Sequence, residues 1–488
     1  MATIIPTIVI SLVVLFCSTS CHCFVKAQNN DHFHSVQVSS LLPATDEEAC
    51  NPSPKGNRRG NSLEVKHKHG PCSTLELDKS SRPSHVEILE HDESRVDSIR
   101  ERVNPKLVEV DSVTDHKKVP KKDKIKQKAV GLPAKSGSTI GSGNYIVTVG
   151  LGTPKKDLNL IFDTGSDFTW TQCAPCTKSC YKQKDPVFDP SESSTYSNIT
   201  CSSTLCTEVR SATSAPPGCS STTCIYGIQY GDSSFSVGFF AKDTLSLGSH
   251  DIVQDFYFGC GENNQGLFGG SAGLMGLGRN QLSVISQCAT KYGKVFSYCL
   301  PSKSSSTGHL TFGKGGTYAK SITYTPLLSS SSGPSFYFID LQGMTVGGQK
   351  LSISPTVFSQ GGVLIDSGTV ITRLPPDAYS ALQTAFSKAM SQYPKAPALS
   401  ILDTCYDLSN YTTVTIPKIG LQFGGKAEIV LPASGIFYVK GLSQVCLAFA
   451  GNTDATDVAI LGNVQQLTFD IVYDVAAGKL GFGSGGCL

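Results

Sequence analysis

The chain carries one short pattern twice, and that repeat limits its fold more than any other feature. Asn159 to Trp170 reads NLIFDTGSDFTW and Val363 to Leu374 reads VLIDSGTVITRL, so each copy runs an apolar stretch into Asp-Thr/Ser-Gly. An apolar run that stops at Asp-x-Gly predicts a buried strand ending in a tight turn. Each turn then holds one carboxylate, Asp163 or Asp366, at the end of a rigid element. A second pair of segments echoes in the same order: AGLMGLG from Ala272 to Gly278, and AILGN from Ala459 to Asn463. Both lead apolar residues into a glycine, which permits close backbone approach. The expectation is an internal duplication in an all-β chain, with two related lobes and a cleft between them. Two carboxyls facing each other there cannot both ionise, and one proton is held by the pair. That places an acid and a base in one constellation.

The length of 488 residues exceeds a single ordinary core. Charged residues make up only 16% and glycine is abundant, which suits a strand-rich globular body. The formal net charge of +2 gives no global attraction to nucleic acid. No H-E-x-x-H motif occurs in the strand-rich part, and neither a metal nor a cofactor is expected.

The first part of the chain has a different texture. Residues 1–27 contain a short apolar stretch, Ile4 to Phe16, followed by small and polar residues, the pattern of a secretory signal peptide. No second apolar run is long enough to span a bilayer. Residues 28–140 carry charged, helix-compatible stretches such as SHVEILEHDESRVDSIRERV, then seven lysines between Lys117 and Lys128. From residue 141 the pattern becomes strand-like. Residues 136–488 hold 21 Lys+Arg against 22 Asp+Glu, so the basic cluster belongs to the upstream segment. A basic segment can cover an acidic cleft, which predicts a pro-segment over 28–140, with cleavage in an exposed linker near Lys135 to Gly143.

Thirteen of the 18 cysteines lie from Cys173 onward, and seven of these crowd between Cys173 and Cys224 in a Ser/Thr/Gly/Pro-rich stretch. Such a stretch buries little, so disulfides are its expected staples. Cys173-x-x-Cys176 has zinc-ligand spacing but lacks a matching downstream pair, and a secretory route favours oxidation. Thirteen is odd, and Cys288, in a helix-like context, is the candidate free thiol.

FDTGS, IDSGT, the YGD stretch at Tyr230 and the two apolar-Gly runs together resemble the pepsin-like aspartic endopeptidases over residues 141–488. The cysteine-rich insert, 173–224, resembles the plant nepenthesin-type branch. LEVKHKHGPCS, GCGENNQGLFGG and LIDSGTVITRLPP are most similar to the plant group that includes the chloroplast nucleoid DNA-binding aspartic protease. The resemblance implies a bilobal fold with an N-terminal lobe over 141–330 and a C-terminal lobe over 331–488. It implies Asp163 and Asp366 as the catalytic dyad, acting on water without a covalent intermediate at acid pH. Thr164, Gly165, Ser367 and Gly368 would hold the two carboxyls coplanar, and Ser166 and Thr369 would bond their outer oxygens. The hairpin over 228–240 would be the flap that closes on substrate through Tyr230, Gly231 and Asp232, with Trp170 as partner of the tyrosine. Cys405 and Cys446 would form the C-lobe disulfide. Ser233 stands where many relatives have a second flap glycine, and Val370 replaces a polar residue near the dyad, which bears on substrate preference.

Asn198-Ile-Thr200 and Asn410-Tyr-Thr412 are acceptor tripeptides for N-glycans. The expected partners are polypeptide substrates and the chain's own pro-segment, for a monomer secreted to the apoplast, with vacuole or plastid as the alternative. Two other roles compete: a catalytically weak binding or inhibitory protein on the same fold, and DNA binding through the lysine run. The lysines have no interleaved aromatic residues of the kind a stacking platform needs.

Overall fold

A computed structural model describes residues 32–42, 49–53, 61–75, 83–104, 145–248, 251–266 and 268–487. The expected signal peptide, the lysine run at 117–128 and the linker at 135–143 lie outside these residues. Among the described residues no helix is long and apolar enough to cross a membrane.

The duplication expected from the repeated motif is present as two copies of one strand arrangement. In the first, Lys156–Asp163 pairs in parallel with Gly273–Gly276, with Gly276 opposite Asp163. Trp170–Gln172 returns antiparallel to Gly273 and Leu274, and parallel to Gly259–Gly261. In the second, Val363–Ile365 pairs in parallel with Ala459–Leu461. Thr372–Leu374 returns with Arg373 opposite Ile460, and runs parallel to Phe449–Gly451. Each Asp-x-Gly turn therefore leaves a strand buried on both faces, which explains why the sequence there is a continuous apolar run rather than an alternation. The two apolar-Gly segments are the parallel partners.

The lobes meet over a shared antiparallel sheet in which Val295–Cys299 lies between Thr307–Phe312 and Phe469–Asp474, and the latter pairs with Lys479–Ser484. The segment upstream of residue 141 is woven into this body. Ser62–His67 adds a strand between Thr307–Phe312 and Tyr145–Leu151. Phe33–Gln37 pairs antiparallel with Thr413–Pro417. Ser62–His67 is thus paired on both sides and Phe33–Gln37 forms a two-stranded sheet with its partner, held by main-chain hydrogen bonds and anchored by buried side chains such as Val65.

Among the described residues seven disulfides are formed, and Cys288 is the buried free thiol. The zinc alternative at Cys173 and Cys176 is overturned, because Cys173 bonds Cys260 and Cys176 bonds Cys180. In the cysteine-rich stretch Cys201–Cys219 flanks a helix, Thr204–Thr213, and Cys206, within that helix, bonds Cys224. Cys405 and Cys446 lie opposite each other on paired strands and are bonded. That bond closes a loop with a sequence separation of 41. Chain-entropy reasoning gives such a closure about 3 to 4 kcal/mol. Replacing both cysteines with serine is expected to lower the unfolding free energy by about that amount in urea titrations, and a loss under about 1 kcal/mol would show that the reduced unfolded chain is already constrained.

Candidate active site

The two turns bring Asp163 and Asp366 together at the floor of the interlobe cleft, 1% and 0% exposed. Each carboxylate is gripped by its own turn: the Gly165 N–H donates to Asp163 Oδ1 at 2.9 Å, and the Gly368 N–H donates to Asp366 Oδ1 at 3.1 Å. The turns are also cross-linked. Ser367 N–H donates to Thr164 Oγ1 at 2.9 Å, and Thr164 N–H donates to Ser367 Oγ at 3.1 Å. Glycine is required beside each aspartate, since a Cβ at Gly165 would stand 2.7 Å from Asp366 Oδ1, and one at Gly368 would stand 2.6 Å from Asp163 Oδ1.

The outer oxygens are treated differently. Thr369 Oγ1 donates to Asp366 Oδ2 at 2.6 Å. Ser166 lies close enough to favour ionised Asp163, but its hydroxyl is not aligned for the matching hydrogen bond. From below, Gln466 Nε2 donates to the main-chain oxygens of Asp366 and Leu461, which ties the second turn to its parallel strand.

The flap is the hairpin of Thr223–Gln229 and Phe235–Leu247. Trp170 is fully buried, and its Nε1–H donates to the Tyr230 hydroxyl at 2.8 Å. Ser233, the departure from glycine, adopts a left-handed φ of 66°. Asp232 stabilises the turn by accepting from the Ser234 N–H at 2.9 Å.

The cleft between flap and dyad is occupied by a helix, His85–Val103, opened by a capping box between Ser84 and Glu87. Its buried residues, Leu89, Asp92, Val96, Ile99 and Val103, follow the three-and-four spacing of one helical face. Flap residue Gly231 lies on it so closely that a Cβ there would sit 2.2 Å from the Ser94 carbonyl oxygen. Arg95 points at the dyad. Its Nη2 donates to Asp163 Oδ1 at 2.6 Å and to Asp366 Oδ2 at 2.9 Å, and its Nε donates to Asp366 Oδ2 at 3.0 Å. Farther along, Arg102 Nη2 donates to the Gly165 carbonyl oxygen at 3.2 Å, and its guanidinium lies 4.6 Å from the Phe336 ring centroid.

Burial opposes the charge of Asp163, but the Arg95 guanidinium, helped by Ser166 and the Gly165 amide, outweighs it and holds the carboxyl below its ordinary 3.8. Burial likewise opposes the charge of Arg95, and the two carboxylates overcome it. The helix itself was legible as helix-compatible, but its position was not. The residue over the dyad is Arg95, a single cation of this helix. The overlooked signal is Asp92, an acidic residue at a buried position of the helical stripe. A Gly-x-Ser-x-Gly pentapeptide at Gly269–Gly273 presents no serine nucleophile, because Ser271 is buried and its hydroxyl donates to the Phe268 carbonyl oxygen at 2.6 Å.

Paired Asp-Thr/Ser-Gly turns between two related β lobes define the pepsin-like aspartic protease class. Residues 145–314 match the family described as Xylanase inhibitor N-terminal, and residues 336–484 the one described as Xylanase inhibitor C-terminal. An aspartyl protease family protein of Arabidopsis thaliana is 53% identical over 481 residues, 98% of each chain. Aspartyl protease AED1 of the same plant is 47% identical over 485 residues, also 98% of each. Aspartic proteinase nepenthesin-2 of Nepenthes gracilis is 38% identical over 344 residues, 69% of this chain and 76% of that one. The crystal structure of edgp superposes with a TM-score of 0.58 at 22% identity, covering 72% of this chain and 92% of that one, a likeness of fold. The chain belongs to the plant aspartyl protease family, and it is an aspartic endopeptidase.

The Arg95 contact carries a pH signature. A carboxyl held below its ordinary value adds stability that is complete above that value and is lost as pH falls through the depressed one. The stability difference between the native chain and Arg95→Gln is therefore expected to be fully present from about pH 5 upward and to shrink below about pH 4. Melting temperatures of both proteins from pH 3 to 7 check it; a difference that grows in acid would contradict it.

Proposed function

We propose that the upstream segment is a pro-segment and that the full chain is a zymogen whose dyad, Asp163 and Asp366, is closed by Arg95. The observation that carries this reading is the single guanidinium bonded to both carboxylates. An arginine there excludes the water that the reaction needs and favours the ionised form of Asp163, when catalysis requires one proton held by the pair. Once the helix leaves, the pair reverts to sharing a proton. Water between the carboxyls then gives a proton to the charged one and attacks the peptide carbonyl. The protonated carboxyl donates to the carbonyl oxygen, which produces a tetrahedral gem-diol. The proton belongs to the pair, and no separate value is assigned to either aspartate.

In this reading Thr164, Gly165, Ser367, Gly368 and Thr369 hold the carboxyls in position, and Ser166 contributes to the field at Asp163. Tyr230, Gly231 and Asp232 form a lid over the substrate, steadied by Trp170. Entry to the secretory pathway through residues 1–27 is supported by the seven disulfides, and Asn198 and Asn410 are both exposed, as glycan acceptors must be. The apoplast is the proposed destination for a monomeric enzyme. An inhibitory role on the same fold would be favoured by loss of a dyad member or its supporting hydroxyls, and all are present here.

The test is cleavage of an unfolded protein from pH 3 to 8 by the full chain, by the chain cut between residues 135 and 143, and by Asp163→Asn of each. The expected outcome is acid-peaked, pepstatin-sensitive cleavage by the cut chain, at least 100-fold less by the uncut chain at pH 6, and none by Asp163→Asn. A rate flat to pH 8 would sink the mechanism. Equal rates for cut and uncut chains would sink the zymogen.

A further inference from the structure

Arg95 closes the dyad, but the most completely enclosed acidic group of the helix is three residues earlier. Asp92 is 0% exposed, and four donors surround its carboxylate or that of its neighbour. The Val370 N–H donates to Asp92 Oδ1 at 2.6 Å, and the Ile371 N–H donates to Oδ2 at 3.1 Å. Arg373 Nη2 stands 3.1 Å from Asp92 Oδ2 and donates to Glu93 Oε2 at 2.8 Å, while its Nε donates to Glu93 Oε2 at 3.2 Å. None of this uses the dyad, and none of it involved residues singled out from the sequence except Val370.

The receiving side of this contact belongs to the enzyme body. Val370 and Ile371 follow closely on the second Asp-Ser-Gly turn, and Arg373 stands on the return strand Thr372–Leu374. Arg373 is 1% exposed, and its Nη1 donates to the Ile371 carbonyl oxygen at 2.8 Å, so the guanidinium is fixed in orientation from its own strand. Among the described residues its carboxylate partners are Asp92 and Glu93 alone, both on the helix. When the helix departs, a fixed guanidinium and two aligned amides face the cleft without an anion. Fixed donors of this kind bind a carboxylate well, because their geometry is set before binding.

We propose that Arg373 and the Val370 and Ile371 amides form a substrate subsite for an acidic side chain, Asp or Glu, which Asp92 fills in the closed chain. The proposal rests on the endopeptidase reading and adds its substrate class. Its distance from the cut follows from helix geometry. Three residues of helix advance about 4.5 Å, little more than one residue of an extended peptide at about 3.3 Å each. Allowing for side-chain reach, the acidic residue falls within about three positions of the scissile bond. Val370 contributes through its amide, so its apolar side chain is compatible with an ionic subsite.

Two measurements test this on enzyme activated from the full chain. In the first, capped peptides with one cleavable bond carry Glu or Gln at each of the three positions on either side of it. The termini are blocked so that only a side-chain carboxylate can enter. At pH 5.5 one position is expected to show kcat/KM at least 10-fold higher for Glu than for Gln. That ratio should fall towards one in Arg373→Gln, recover in part in Arg373→Lys, and decline in the native enzyme as pH drops below about 4.3, where glutamate takes up its proton. Activity on an unfolded protein with a Glu/Gln ratio of one at every position would overturn the subsite while leaving the peptidase intact. Absence of all cleavage would instead overturn the peptidase reading. The second measurement needs no variant enzyme: a synthetic Ser84–Asn104 peptide should inhibit the native enzyme at least 10-fold more tightly than its Asp92→Asn twin, and equal inhibition would count against the subsite.

Discussion

Two carboxylates packed against each other out of water set the terms for everything around them. Neither can ionise freely without compensation, and the sequence supplies it in layers. Turn amides and a threonine hydroxyl bond the inner and outer oxygens, and crossed Thr164–Ser367 contacts fix the spacing. In the closed chain Arg95 adds a full positive charge to the same few ångströms. Buried charges are tolerated when they are paired and hydrogen-bonded, and this cluster satisfies both conditions. The same conditions make it reversible, because protonating the carboxyls in acid weakens what holds the arginine.

The fold exists to bring those two turns together. Duplicated parallel strand pairs deliver each aspartate to the same depth from opposite lobes, and the shared sheet behind them prevents the lobes from drifting apart. The upstream segment exploits this frame at three levels. Two strands pair with strands of the body, one helix fills the cleft, and its charged residues meet the enzyme in order: Asp92 with Arg373, Arg95 with the dyad, and Arg102 with the Gly165 carbonyl oxygen and the Phe336 ring. The helix thus reads out the charge pattern of the cleft. That pattern connects closure of the enzyme to the kind of peptide the cleft accepts.

The duplication was plain in the sequence because two apolar strands ending in Asp-x-Gly leave few alternatives, and Asp163, Asp366, Tyr230 and Trp170 all meet at one cleft. Cys405–Cys446 was given by the family resemblance, but the pairing of Cys173 was not legible, since it reaches a partner 87 residues away and spacing alone carries no such information. Helix 85–103 was legible as a helix and illegible as a cleft occupant. Nothing local distinguishes Arg95 from Arg100 or Arg102. Only the position of Asp92 on the apolar stripe betrays a buried polar contact, and identifying its partner requires the tertiary structure.

The central claim is that Arg95 occupies the dyad of the full chain. Calorimetric titration with pepstatin at pH 5.5 tests it most directly, comparing the full chain, its Arg95→Gln variant and the chain freed of the upstream segment. The account predicts no measurable binding to the full chain, tight binding to the freed chain, and intermediate binding to Arg95→Gln. Equal affinity for all three would show that the cleft is open and that the arginine does not guard it.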